Sequence, residues 1–157
     1  MTTPQTSLAL TSHTFDSADE RDAFRRDRLE PVARFLHDHL GRYGDPIDQI
    51  RTCLHRASGD GPTDGGSVTL AESDGEIVGA VVTNDTHMGG YTPENLLVYI
   101  ATHEDHRGRG IGRALMERAL AAVDGDVALH VEPDNPAAKL YASLGFTQKY
   151  LEMRWKG

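Results

Sequence analysis

The stretch from Asn95 to Gly112 constrains the fold more than any other part of the chain. Asn95-Leu96-Leu97-Val98-Tyr99-Ile100-Ala101-Thr102 has the length and the branched and aromatic content of a buried strand. His103-Glu104-Asp105-His106 is too polar to continue it. Arg107-Gly108-Arg109-Gly110-Ile111-Gly112 places three alternating glycines beside two arginines, and Arg113 to Val123 is rich in strong helix formers. A strand that feeds a glycine turn opening a helix is an anion site in outline. The first helical N–H groups have no intrahelical partner and lie at the positive end of the dipole. Glycines let the backbone approach a phosphate and converge its amides on it. The same glycines would serve an ordinary tight turn. With strand, arginines and helix together, the segment points to a phosphate-bearing ligand.

A chain of 157 residues suits one domain, residues 1–157, with room for a sheet and several helices. Its net charge of −8 argues against a nucleic-acid surface or an anionic-membrane binder and tolerates a cationic substrate. Met1 to Ser7 shows no basic region followed by an apolar block, and no apolar run is long enough to span a bilayer. Cys53 is the one cysteine, which excludes an intrachain disulfide. A cytoplasmic location is the resulting expectation.

Before the central stretch, Leu8 to Thr11 reads as a short strand. A helix capped by Ser17 or Asp16 follows, kinked or restarted at Pro31 and ended by Gly41 and Gly44. Asp45 as cap and Pro46 as first residue predict a further helix striped by Ile47, Ile50, Leu54 and Ala57. Cys53 on that helix reads as a small packed residue. His37 and His39 face different ways on their helix, and His103 and His106 have no further ligand cluster, so no metal is expected. Ser58 to Gly66 is a connector. Ser67–Ser73 and Glu76–Asp85 are strands around Asp74-Gly75, a hairpin dipeptide.

After the glycine-led helix, Val127 to Glu132 predicts a strand parallel to the central one. Asn135 and Pro136 then open a helix that Gly145 closes. Phe146 to Trp155 reads as one long final strand. A dinucleotide fold is one reading of the glycines, because Glu132 lies roughly twenty residues beyond them, where a ribose-binding acid belongs. Against it, the crossover starts late in the chain, and a polar hinge separates strand from glycines.

Arg107, Gly110 and Gly112 fit the signature by which Thr102–Gly112 resembles the acetyl-coenzyme A loop of the GNAT N-acetyltransferase superfamily. Asn135-Pro136-Ala137-Ala138-Lys139-Leu140-Tyr141-Ala142-Ser143-Leu144-Gly145-Phe146 resembles the family's second motif of Asn, a helix, Tyr and Leu-Gly-Phe. The clear likeness runs from Ser67 to Phe146. It implies an α/β fold with a mixed, mostly antiparallel sheet whose strands splay at the cofactor. It also implies transfer of acetyl from acetyl-coenzyme A (CoA) to a primary amine by direct attack in a ternary complex, without a metal. A non-catalytic acyl-CoA binding or sensing domain is the alternative.

The resemblance further implies that Ile100, Ala101 and Thr102 hold the pantetheine arm and acyl oxygen through their backbone. The amides of Arg107, Gly108, Arg109, Gly110, Ile111, Gly112 and Arg113 would take the pyrophosphate. Asn135 would contact the cofactor arm, and Tyr141 would protonate the leaving thiolate. Many members carry a glutamate within the central strand, where this chain has Leu96, Val98 and Ile100. Glu94 is the nearest carboxylate and the first candidate base, acting through a water, with Tyr99 and His130 as others. The acceptor would lie near Arg42, Tyr43, Gly44, Asp45, the loop Thr86–Pro93 and Tyr99. A partner subunit completing the sheet edge, hence a homodimer, is a further expectation.

Overall fold

The computed structural model describes residues 7–157; Met1 to Thr6, with most of the leader reading, lie outside the described residues. The chain runs β1 (Leu8–His13), α1 (Ala18–Asp27), α2 (Leu29–His39), a 3₁₀ turn (Gly41–Tyr43) and α3 (Ile47–Ala57). It continues through β2 (Gly66–Ser73), β3 (Glu76–Asp85), β4 (Asn95–Thr102), a second 3₁₀ turn (Glu104–His106), α4 (Ile111–Ala121), β5 (Val127–Leu129) and α5 (Ala137–Ser143). The sheet order is β1-β2-β3-β4-β5, antiparallel except for the parallel pair β4–β5. This is the mixed, mostly antiparallel sheet flanked by helices that the sequence predicts. Among the described residues no helix is long and apolar enough to cross a membrane.

Local chemistry explains most boundaries. The Ser17 hydroxyl accepts the Glu20 N–H at 3.1 Å and starts α1. The helix breaks at Arg28 and restarts, so Pro31 falls in the first turn of α2, where an N–H would have no partner anyway. Asp74 and Gly75, with φ of 52° and 81°, make the tight hairpin between β2 and β3. One apolar layer lies between the sheet and α1–α3 and includes Phe24, Leu36, Ile50, Leu54 and Val82. The other lies under α4 and α5 and includes Val81, Leu97, Leu115, Met116 and Tyr141. A Cβ on Gly79 would come within 2.5 Å of the Leu115 side chain, so α4 sits close over the sheet there.

Four expectations are corrected. Helix α3 starts one residue late: Pro46 is its cap residue, and the Asp45 carboxylate accepts a hydroxyl from β4 instead of a helix amide. Helix α4 starts at Ile111, inside the glycine turn, because Gly110 serves as its cap residue. The β5 ladder stops at Leu129, short of Glu132, since the chain turns away toward Pro133 and α5. The final strand does not form, and Phe146 to Gly157 carries no ladder. The edge it would join is only three residues long, too short to template ten.

Candidate active site

The site begins with an irregularity in β4. Leu97 pairs with Thr83 and Tyr99 with Val82, so Val98 is an extra residue, a β-bulge. The bulge changes which face the strand presents. Leu97 packs in the layer under α4, whereas Val98 and Tyr99 pack in the layer under α2 and α3. Beside the bulge the parallel neighbour leaves, since the β4–β5 pairing runs from Asn95↔Val127 to Leu97↔Leu129 and no further. From Val98 onward the β4 edge lacks a strand on that side, and a cleft of about 640 Å³ opens there.

Ile100, Ala101, Thr102, Arg107, Gly108, Gly110, Ile111, Gly112, Asn135 and Tyr141 all line this cleft. Gly110 has φ 77°, a left-handed conformation that a side chain would strain, and no side chain caps the helix. The first backbone bond of that end is donated by Ala114 to the Gly110 carbonyl at 3.1 Å. The amides ahead of it are left for a ligand, at the positive end of α4. That cradle fits a diphosphate. Arg107 donates to the His39 carbonyl at 3.2 Å, which keeps its charge at the rim. Arg109 and Arg113 are not brought into the cleft: Arg109 is exposed, and Arg113 bonds Glu117 and Ser143. Asn135 lines the cleft and its Oδ1 accepts the Ala137 N–H at 2.9 Å, although α5 starts one residue later than expected, with Pro136 as its cap residue. Tyr141 is buried, and burial pushes its hydroxyl up to about 12, so it holds its proton near neutrality.

A second cavity of about 440 Å³ shares Arg42, Tyr43, Leu97, Val98, Tyr99, His130 and Asn135 with the first. It adds Gly44, Asp45, Gln49, Glu132 and Arg154. The Tyr99 hydroxyl donates to Asp45 at 2.7 Å, and the Cys53 thiol lies 4.0 Å from that hydroxyl. Burial, then the bond to Asp45, raises the Tyr99 hydroxyl far above the ordinary phenol range. Burial also raises the Cys53 thiol, which keeps it protonated and a poor nucleophile. The Thr86–Pro93 loop contributes to neither cavity.

Glu94 is not brought to either cavity. Its carboxylate accepts the Asp126 N–H at 2.7 Å at the start of the β4–β5 pair, and that bond holds its pKa below the ordinary glutamate value. The candidacy of Glu94 as base loses its geometric ground, because the strand carries the cleft at its other end.

In the sequence, His39, His103 and His106 are weighed only as metal ligands, yet they meet at one rim of the cleft. Phe35, His39, His103 and His106 form a row of tilted and then edge-on rings, with centroids 4.7, 4.3 and 5.3 Å apart, and His39 and His106 line the cleft. Burial, and then the neighbouring His103, lowers the pKa of His39. Among the described residues no group of three His, Cys, Asp or Glu side chains is placed to hold a metal.

Comparison with known proteins agrees with this geometry. The family model for the acetyltransferase (GNAT) domain matches residues 64–148. An acetyltransferase of Pectobacterium atrosepticum is 36% identical over 98 residues, and one of Sodalis glossinidius is 34% identical over 98 residues. Each match covers 60% of this chain and 60% of the relative, so it spans less than two thirds of those proteins. An aminoglycoside N-acetyltransferase solved with CoA superposes with a TM-score of 0.70 at 15% identity, over 100% of this chain and 99% of that one. A ribosomal-protein-alanine N-acetyltransferase of Brucella melitensis gives 0.61 at 19% identity, over 96% and 99%. Those likenesses show the fold. With a matched domain spanning more than half of its length and both motifs facing one cleft, this chain belongs to the GNAT acetyltransferase family.

Proposed function

We propose that the protein transfers the acetyl group of acetyl-CoA to a primary amine by direct attack in a ternary complex. One observation carries the reading: the two cavities meet where β4 and β5 part, beside the bulge at Val98. The first cavity has the free amides and Arg107 for a diphosphate, with Ile100, Ala101, Thr102 and Asn135 along the path of the pantetheine arm. An N–H on the open edge of β4 supports oxyanion charge as the amine adds to the thioester carbonyl. Tyr141, buried and protonated, gives its proton to the departing sulfur. The amine enters by the second cavity. Structural neighbours that act on an aminoglycoside and on a ribosomal-protein alanine leave both small-molecule and protein amines open as the class to test.

The test is release of free thiol from acetyl-CoA across a panel of aminoglycosides, polyamines, amino acids and peptides. The reading expects amine-dependent release with one acetylated amine per thiol. Tight CoA binding with no release on any amine would leave a binding module instead. The reading extends to a homodimer. Leu151, Met153 and Trp155 alternate in sequence and are 91%, 88% and 91% exposed, and a second copy would cover them. A dimer mass by light scattering at micromolar concentration supports this, and a monodisperse monomer removes it.

A further inference from the structure

The acceptor amine reaches neutral water as an ammonium and must lose a proton before it attacks, so the site needs a proton acceptor that touches both cavities. Most candidates fail on position or chemistry. Glu94 lines neither cavity. Asp45 and Glu132 line only the second, and Asp45 already accepts the Tyr99 hydroxyl. Tyr99 and Tyr43 line both, but each spends its hydroxyl proton on a bond, to Asp45 and to the Asp134 carbonyl. A protonated phenol is a weak base.

His130 remains. It follows β5 directly, one residue past the last rung, Leu97↔Leu129. Val127, Leu129 and Val131 pack in the layer under α4 and α5, so alternation turns His130 to the opposite face, the one on which Tyr99 lies beyond the bulge. It lines both cavities and is exposed to solvent. We infer that His130 is the proton acceptor for the incoming amine, an inference that rests on the acetyl transfer proposed above.

The step balances without a further reactant. A ring nitrogen of neutral His130 takes one proton from the ammonium and later releases it to water. The freed nitrogen lone pair forms the C–N bond, and the C–S bond breaks as the tetrahedral adduct collapses. Tyr141 supplies the proton that the sulfur takes, and the second proton lost by the amine nitrogen restores Tyr141. The charged and titratable groups that share the second cavity with His130 are Arg42, Tyr43, Asp45, Tyr99, Glu132 and Arg154, and those of the first include His39, Glu104, His106, Arg107 and Tyr141.

The experiment compares wild type and His130→Gln on two acceptors: an alkylamine, which is protonated at neutral pH, and an alkoxyamine, which is already neutral there. With the alkylamine, kcat should fall about 100-fold in the variant and lose its acid limb. With the alkoxyamine the two proteins should agree within about threefold, and CoA affinity should be unchanged in both. A merely structural role would lower both substrates alike, and that outcome overturns the assignment, as does a variant that keeps its alkylamine rate and acid limb. If His130→Gln unfolds, imidazole added to His130→Ala must restore alkylamine turnover with the acid limb, and no rescue overturns the assignment. A wild type that releases no thiol with any amine overturns the transfer itself. An active wild type with an indifferent His130 overturns only the proton acceptor.

Discussion

The two halves of β4 differ although they are continuous in sequence and similar in composition. Before Val98 the strand has a neighbour on both sides, and its first residues are tied down: Asn95 donates to the Asp124 carbonyl, and Glu94 accepts from Asp126. After Val98 the strand keeps β3 but has lost β5, and its free edge looks into the cleft. The first half is closed and serves stability. The second carries unpaired backbone, which is costly unless a ligand or water satisfies it. The bulge between them lets one strand do both, because it turns Tyr99 out of the layer that holds Leu97.

The largest expected effect is beside the open half. Tyr141→Phe should lower kcat by about 100-fold or more while CoA affinity, measured by calorimetry, changes less than about twofold. Unchanged turnover would remove Tyr141 from the chemistry. Next comes the cradle facing that half. Gly110→Ala has room for its methyl group but forces a side chain onto φ 77°, a strain of about 1–2 kcal/mol. CoA should bind about tenfold more weakly, with kcat at saturation little altered. A variant that binds CoA as well as wild type would mean that this turn does not grip the diphosphate.

Tyr99→Phe, just past the bulge, removes the hydrogen bond to Asp45. The expected result is a rise of about three- to tenfold in the KM for the amine, at nearly constant affinity for CoA. An equal rise for both would show that the two cavities are not separate in function. The smallest effect belongs to the closed half. Glu94→Gln should leave kcat within about twofold of wild type and lower only Tm. Glu94 is held below its ordinary pKa of 4.5, so its contribution is present above that value and is lost as pH falls through the folded one. Melting curves of variant and wild type should therefore differ near neutrality and converge once the pH falls below the folded value. A large loss of kcat would place Glu94 back in the chemistry.

Legibility in the sequence follows the range of the interactions. The bounds of β3 and β4 come from runs of adjacent residues, and the hairpin from one dipeptide, so each was evident locally. The glycine turn was evident too, and of the thirteen residues expected at the cofactor or catalytic site ten line one cleft. Arg109 and Arg113 were expected to offer their amides; a motif gives those positions, whereas partners such as Glu117 and Ser143 decide where the long Arg113 side chain points. Glu94 falls outside both cavities for a related reason. Nearness along the chain to the strand says nothing about which end of the strand bears the cleft.

The C-terminal stretch shows the same limit from the other side. Its alternation of Leu151, Met153 and Trp155 with polar residues is a strand pattern, but a strand also needs an edge, and β5 offers three residues. From residue order alone come the strand–turn–helix unit, the hairpin, the amphipathic helices and both motifs, because neighbours within a few residues settle them. Only the tertiary structure decided the bulge at Val98, the early end of the β4–β5 ladder and the meeting of His130, Tyr99 and Asp45. The bulge rests on pairs 14 and 17 positions apart, the β4–β5 ladder on pairs 32 apart and the Tyr99–Asp45 bond on residues 54 apart, which no local pattern encodes.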